Sequence, residues 1–390
     1  MILYLAWFFA SVLIFYGTVG AGKETQKAMM TYFMIALGLF VGFGDMLGGY
    51  DRYIYGELFD SMADVTHAGG NPWMSYAFGF YGGEFGYGTF CALLSYVTGN
   101  RYIFILIATM VIYALLIVSL RQYVDNAPFA VVMFMGLWFF FTFTYLRQVI
   151  GCTVVWLSVR YIIERDLGRY LLVCFIAFSF HNSAIIFLPM YWVPIRKYPK
   201  EWVMGVMAAA FLIGLSSIPQ GMFSAYGELD ANRVKSVDYA RDNGFRIAYF
   251  VEAVFFLYVI LTNYRNLPNK AKDVVMLNIA LVFCAILLIF VRSENGGRLG
   301  WMFMIGVICT MSNICVKNKK MLKDGVLMVV VCFFLFFRIL NGWGILLYPY
   351  KSFLTDGYRE GDRTRDAYEY DFNYETDKLY RSAVWWVGDY

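Results

Sequence analysis

The chain has 390 residues, of which 60% are hydrophobic, 20% aromatic and only 15% charged, with a formal net charge of +4 and a mean hydropathy of +0.57. Average soluble domains carry about 45–50% apolar and about 25% charged residues. The composition therefore excludes a disordered chain, a nucleic-acid binder and an ordinary soluble enzyme, and describes a helical multi-pass membrane protein rich in Phe, Tyr and Gly.

A spanning helix needs roughly 20 mostly apolar residues. In chain order, the runs 1–20, 28–44, 102–120, 128–145, 201–218, 246–263, 273–291, 299–316 and 324–347 fit that rule. A shorter run, 86–98, and two less regular stretches, 146–167 and 170–194, bring the expectation to about 10–12 membrane segments in an all-α polytopic bundle. The first run has no basic n-region and no small-residue cleavage motif, so it reads as an anchor rather than a cleaved signal. Lys23 and Lys27 follow it, which puts its start on the outer side.

The other basic loops carry Arg121; Arg160, Arg165 and Arg169; Arg196, Lys197 and Lys200; Arg265, Lys270 and Lys272; and Lys317, Lys319, Lys320 and Lys323. All fall on the cytoplasmic side if 170–194 is a broken or re-entrant hairpin turning at His181, and not if it spans once. The hairpin is the preferred reading, and irregular backbone at that depth implies burial in protein or a cavity lining. The outer side is left with loops 45–85 and 219–245 and a Tyr- and acid-rich tail, 348–390, carrying Trp385 and Trp386. Residues 1–347 form one membrane domain without internal repeats.

The seven cysteines lie in apolar runs without a CxxC and read as small buried hydrophobes. Two histidines without a Cys/His cluster argue against zinc. Glycine-rich phosphate loops, HExxH and GxSxG are missing, so neither metal nor cofactor is expected.

Polar side chains at membrane depth are costly, and each is a functional candidate by default. Asp51 lies in Gly48-Gly49-Tyr50-Asp51-Arg52-Tyr53, and Glu84 in Gly82-Gly83-Glu84-Phe85-Gly86-Tyr87. The two acids return to the same face, where such a pair can orient or deprotonate a hydroxyl. Arg147 and Gln148 separate two apolar stretches, and the lone guanidinium suits a phosphate. His181 has a side chain suited to proton transfer near neutral pH. Arg292 and Arg298 flank Glu294 and a Gly pair, an arrangement that can present two forks to one diphosphate. Arg246 and Glu252 share one apolar run and Arg338 lies in another; these three read equally well as neutralising buried partners.

Taken in order, four short stretches resemble the EpsG-like branch of the bacterial polysaccharide polymerases (Wzy type). They are Gly49-Tyr50-Asp51 through Tyr55, Glu84 to Tyr87, Leu146-Arg147-Gln148, and His181 to Ala184. Tyr348-Pro349-Tyr350-Lys351 is similar to the end of such proteins, so the resemblance covers roughly 1–355. Phe85 stands where the family often has Pro, Gly151 where it often has Ala, and the tail beyond 355 has no counterpart.

The resemblance implies a GT-C-like glycosyltransferase of the bacterial inner membrane. Such an enzyme transfers a growing chain from undecaprenyl diphosphate to a new lipid-linked repeat unit at the periplasmic face. Its partners are those lipid-linked oligosaccharides, the bilayer and a chain-length regulator, with no nucleic acid. On this reading Arg147, Arg292, Arg298 and Arg338 hold the diphosphate, and Asp51, Glu84 or His181 takes the acceptor proton. Arg52, Tyr55, Tyr87, Gln148, Arg246 and Glu252 contact substrate. The rival readings are a flippase of the lipid-linked oligosaccharide, an O-antigen ligase-type transferase and a purely structural membrane protein. Flippases usually show two related halves, which are missing here.

Overall fold

In lipid, a long apolar stretch satisfies its own backbone groups only as a helix, and among the described residues helices make up most of the chain between Ile2 and Leu347. The computed structural model describes residues 1–390 except 47, 230–241, 243, 318–319, 355–380, 382 and 385–390. The middle of the 219–245 loop, most of the 348–390 tail, and Trp385 and Trp386 with it, lie outside the described residues.

The protein is an all-α polytopic bundle. Among the described residues, five helices are long and apolar enough to cross a membrane: Arg101–Tyr123, Leu146–Glu164, Ala271–Ile289, Gly296–Cys315 and Lys323–Gly342. Lys200–Leu215 and Ile218–Ser224, bent by 65° at their junction, add a sixth if they count as one span. The expected 10–12 segments are reached only by including shorter apolar helices such as Ile2–Thr18, Ala127–Leu137 and Ile247–Thr262. Helix length and breaks together explain the difference: Ile2–Thr18 and Ile247–Thr262 are unbroken but only 17 and 16 residues long, and other runs are interrupted. The expected span 128–145, for example, is Ala127–Leu137, an interruption and the short helix Phe141–Thr144. The 45–85 loop is itself largely helical, with Tyr50–His67 and Tyr76–Tyr81.

Residues 167–192 form a hairpin. The Asp166 side chain accepts from the Arg169 N–H and caps Leu167–Phe180. That helix ends at His181, whose extended backbone (φ −155°, ψ 124°) starts the 3₁₀ segment Asn182–Trp192 back toward the same end. The Tyr170 hydroxyl closes the hairpin by donating to the Phe187 carbonyl (2.7 Å), and Arg165 donates to the Tyr191 carbonyl (2.8 Å).

The basic loops are knitted together at that end. Asp125 accepts from Lys272 (3.1 Å) and lies 3.8 Å from Lys23. Asn126 donates to the Ser312 carbonyl (3.0 Å), next to the small antiparallel pair Val316–Lys317 and Lys320–Met321. Lys197 donates to the Leu267 carbonyl (3.0 Å), and the Tyr264 hydroxyl to the Tyr198 carbonyl (2.7 Å). At the opposite end the chain closes on itself. The Tyr4 hydroxyl donates to the Leu347 carbonyl (2.7 Å), and Tyr350 stacks on Phe40 at 4.3 Å. Between the ends lies an aromatic-rich core in which Trp138 meets Trp156 at 4.9 Å and Phe59 stacks on Phe104 at 4.2 Å.

Candidate functional site

Several helix termini meet at the end away from the basic loops. Gly49 precedes Tyr50–His67 with φ +146°, a conformation open to glycine alone, and a Cβ there would stand 2.3 Å from the Thr144 Cβ. This close approach sets Asp51, in the first turn, beside the start of Leu146–Leu157, which carries Arg147 and Gln148. His181 arrives from the hairpin turn and Arg298 from the 3₁₀ segment Gly296–Phe303. Asp51, Tyr55, Arg147, Gln148, His181 and Arg298 line one cavity of 330 Å³. Its remaining lining includes Tyr145 and Asn295, neither of which stood out in the sequence.

Each side chain is held from behind. Arg147 forms a buried ion pair with Glu84, its Nε donates to the Tyr55 hydroxyl (3.2 Å), and its guanidinium lies 5.6 Å from the Tyr81 ring centroid. Glu84 is 3% exposed and does not line the cavity. Its Oε1 accepts from the Asn182 N–H (3.4 Å) and lies 3.8 Å from His181 Nε2. The Ser183 backbone N–H, which can only donate, reaches His181 Nδ1 at 3.2 Å. We therefore assign the neutral ring its proton on Nε2, toward Glu84. Arg298 stacks 4.2 Å from the Tyr145 ring centroid and donates to its hydroxyl (2.9 Å), while its own carbonyl accepts from Gln148 Nε2 (3.1 Å).

Six further expected members, Arg52, Arg292, Tyr87, Arg246, Glu252 and Arg338, do not line this cavity. Arg52 is fully buried, and its guanidinium is taken up by backbone: Nε donates to the Asp45 carbonyl (2.9 Å), and Nη2 to those of Val41 (3.0 Å) and Gly44 (2.9 Å). It staples backbone segments together and does not line the cavity. Arg292 turns to Asp242, with which it pairs, and to the Leu215 carbonyl (2.9 Å), so it does not join Arg147 and Arg298. Tyr87 is buried behind Tyr55 and Tyr81, at 5.7 and 5.0 Å. Arg246 precedes Ile247–Thr262, and its backbone N–H bonds the Val291 carbonyl (2.8 Å). Glu252 and Arg338 line a second cavity, of 360 Å³. A buried pair absent from the sequence expectations, Asp60 with Arg101 (Nε to Oδ2 2.7 Å), fastens the Tyr50–His67 helix to Arg101–Tyr123. Among the described residues, no group of three or more His, Cys, Asp and Glu side chains is placed to hold a metal ion.

The fold and this cluster of arginine, acid and histidine define a multi-pass membrane protein with a polar site at one end of its bundle. Residues 29–352 match the EpsG family, and the chain belongs to it. Membership supports a polysaccharide polymerase-like role. No curated protein and no solved structure matches the chain.

Proposed function

We propose that the protein is a polysaccharide polymerase, a glycosyltransferase that joins undecaprenyl-diphosphate-linked repeat units at the periplasmic face of the bacterial inner membrane. The reading is carried by one observation: Asp51, Arg147, Gln148, His181 and Arg298, far apart in sequence, line a single cavity. Two guanidinium forks suit a diphosphate. The first turns of Tyr50–His67 and Leu146–Leu157 also open there, and helix N-termini favour anions.

In the proposed reaction, a hydroxyl of the acceptor sugar attacks the anomeric carbon of the donor. The bond from that carbon to the diphosphate oxygen breaks, and the diphosphate leaves with the electron pair. Arg147 and Arg298 stabilise the developing charge, which preorganised donors in a water-poor site do effectively. Asp51 takes the acceptor proton. This choice over the two other candidates rests on position: Asp51 lines the cavity and Glu84 does not, and the assigned His181 tautomer turns its N–H toward Glu84. His181 then positions substrate or Glu84. A GT-C-like architecture and a chain-length-regulating partner belong to the same proposal.

The test is a deletion strain complemented with Arg147→Ala, from which lipid-linked oligosaccharides are extracted, sized and assigned to a membrane face. Single repeats on the periplasmic face with the polymer ladder gone are expected. A normal ladder refutes the role of Arg147. Single repeats trapped on the cytoplasmic face in the deletion strain would make the protein a flippase, and full-length polymer still on its lipid carrier a ligase.

A further inference from the structure

The second cavity adjoins the first: Tyr145, Asn295 and Arg298 line both. Its walls differ in chemistry. Trp301 stacks on Phe141 at 4.3 Å, and Trp343 meets the same ring edge-on at 5.8 Å. Tyr249 donates to the Glu294 carbonyl (3.0 Å) and comes so close to Gly297 that a Cβ there would stand 2.5 Å from the Tyr249 Cζ. Glu252, from Ile247–Thr262, and Arg338, from Lys323–Gly342, line the same space. The Arg338 charge acts on the Glu252 carboxylate across this space, although among the described residues the two make no direct ion-pair contact.

A carboxylate and a guanidinium on apolar helices are costly unless a polar partner engages them. Here both face a space walled by rings, so the partner that fits has an apolar face and groups that both donate and accept. A hydrocarbon chain lacks the second property and a bare phosphate the first. A pyranose has both: its C–H face lies on aromatic rings, and its hydroxyls donate to a carboxylate and accept from a guanidinium. The volume falls within the range of about 300–1,000 Å³ typical of small-molecule sites.

We infer that the second cavity is a saccharide subsite, which takes a pyranose of the lipid-linked substrate while the Arg147 cavity takes its diphosphate. Arg298, common to both walls, stands at the junction of sugar and phosphate. The inference rests on the polymerase reading and adds where the sugar lies.

The test uses the full chain in lipid nanodiscs and two probes, each titrated calorimetrically. One is the lipid-free repeat-unit oligosaccharide released by mild acid from the source strain's polymer; the other is inorganic pyrophosphate. Glu252→Gln and Trp343→Ala should each bind the oligosaccharide at least tenfold more weakly than wild type and bind pyrophosphate normally, which also shows that they are folded. Arg147→Ala should do the reverse. Unchanged oligosaccharide affinity in both cavity variants, or no oligosaccharide binding by the wild type, overturns the subsite. The polymerase reading survives that result if Arg147→Ala still lacks the polymer ladder, and falls separately if the ladder is normal.

Discussion

Glu84 holds Arg147 in a buried ion pair, yet only Arg147 of the two lines the cavity. Removing one member of such a pair strands the other charge, at a cost of about 3–5 kcal/mol. Glu84→Ala should therefore lose both thermal stability and polymer. The double variant Glu84→Gln with Arg147→Met removes both charges; it should recover most of the melting temperature and none of the polymer. Recovery of polymer in the double variant would show that Arg147 serves only the fold.

Asp51 lines the cavity, and its role in the proposal is chemical. Asp51→Asn keeps the shape and removes the base, so turnover should fall by about 10²–10⁴-fold while the amount of protein in the membrane stays at wild-type level. Sized polymer and a membrane immunoblot measure the two. Wild-type turnover would place the base elsewhere.

Gly49 combines φ +146° with a contact that leaves no room for a Cβ. That backbone region costs other residues about 1–3 kcal/mol, and the clash with Thr144 adds to it. Gly49→Ala should shift the first turn of the helix, abolish polymer and lower the melting temperature. Gly69→Ala is the control, since φ there is +75° but open space surrounds the would-be Cβ; it should leave polymer intact.

Asp242 has its carboxyl held below the usual range, first by the Gly244 N–H and then by Arg292. A value lowered by these contacts means that they are favoured above the ordinary carboxylate range and weaken as pH falls through the lowered value. An NMR titration of the Gly244 amide should show that midpoint, and Arg292→Ala should move it upward. An unmoved midpoint would mean that the ion pair plays no part. Because Arg292 lies apart from the cavity, the same variant should keep its polymer ladder.

The helical bundle was legible because apolar runs are long and charges rare. The hairpin was legible through charge: keeping all basic loops on one side required a turn near His181, and the structure turns there. Breaks inside apolar runs were not, since hydropathy registers composition and the interruption between Leu137 and Phe141 is as apolar as its flanks. Asp51, Arg147, Gln148, His181 and Arg298 stand out wherever polar residues interrupt such runs. Sequence could not separate Arg52 from Arg147, because the difference lies in partners. Backbone carbonyls, one of them Phe143's, 91 residues away (3.4 Å), engage Arg52, whereas a carboxylate holds Arg147. The Asp60–Arg101 pair is likewise defined by a partner 41 residues away and not by local sequence.

The hydrogen bond from Tyr4 to Leu347 gives topology mapping an internal check. It ties the start of Ile2–Thr18 to the end of the last long helices, so a reporter fused at residue 1 and a cysteine label at 354 must answer from one compartment. Opposite answers would mean that the membrane-inserted chain carries an odd number of crossings between them, which no bundle closed by that bond can have.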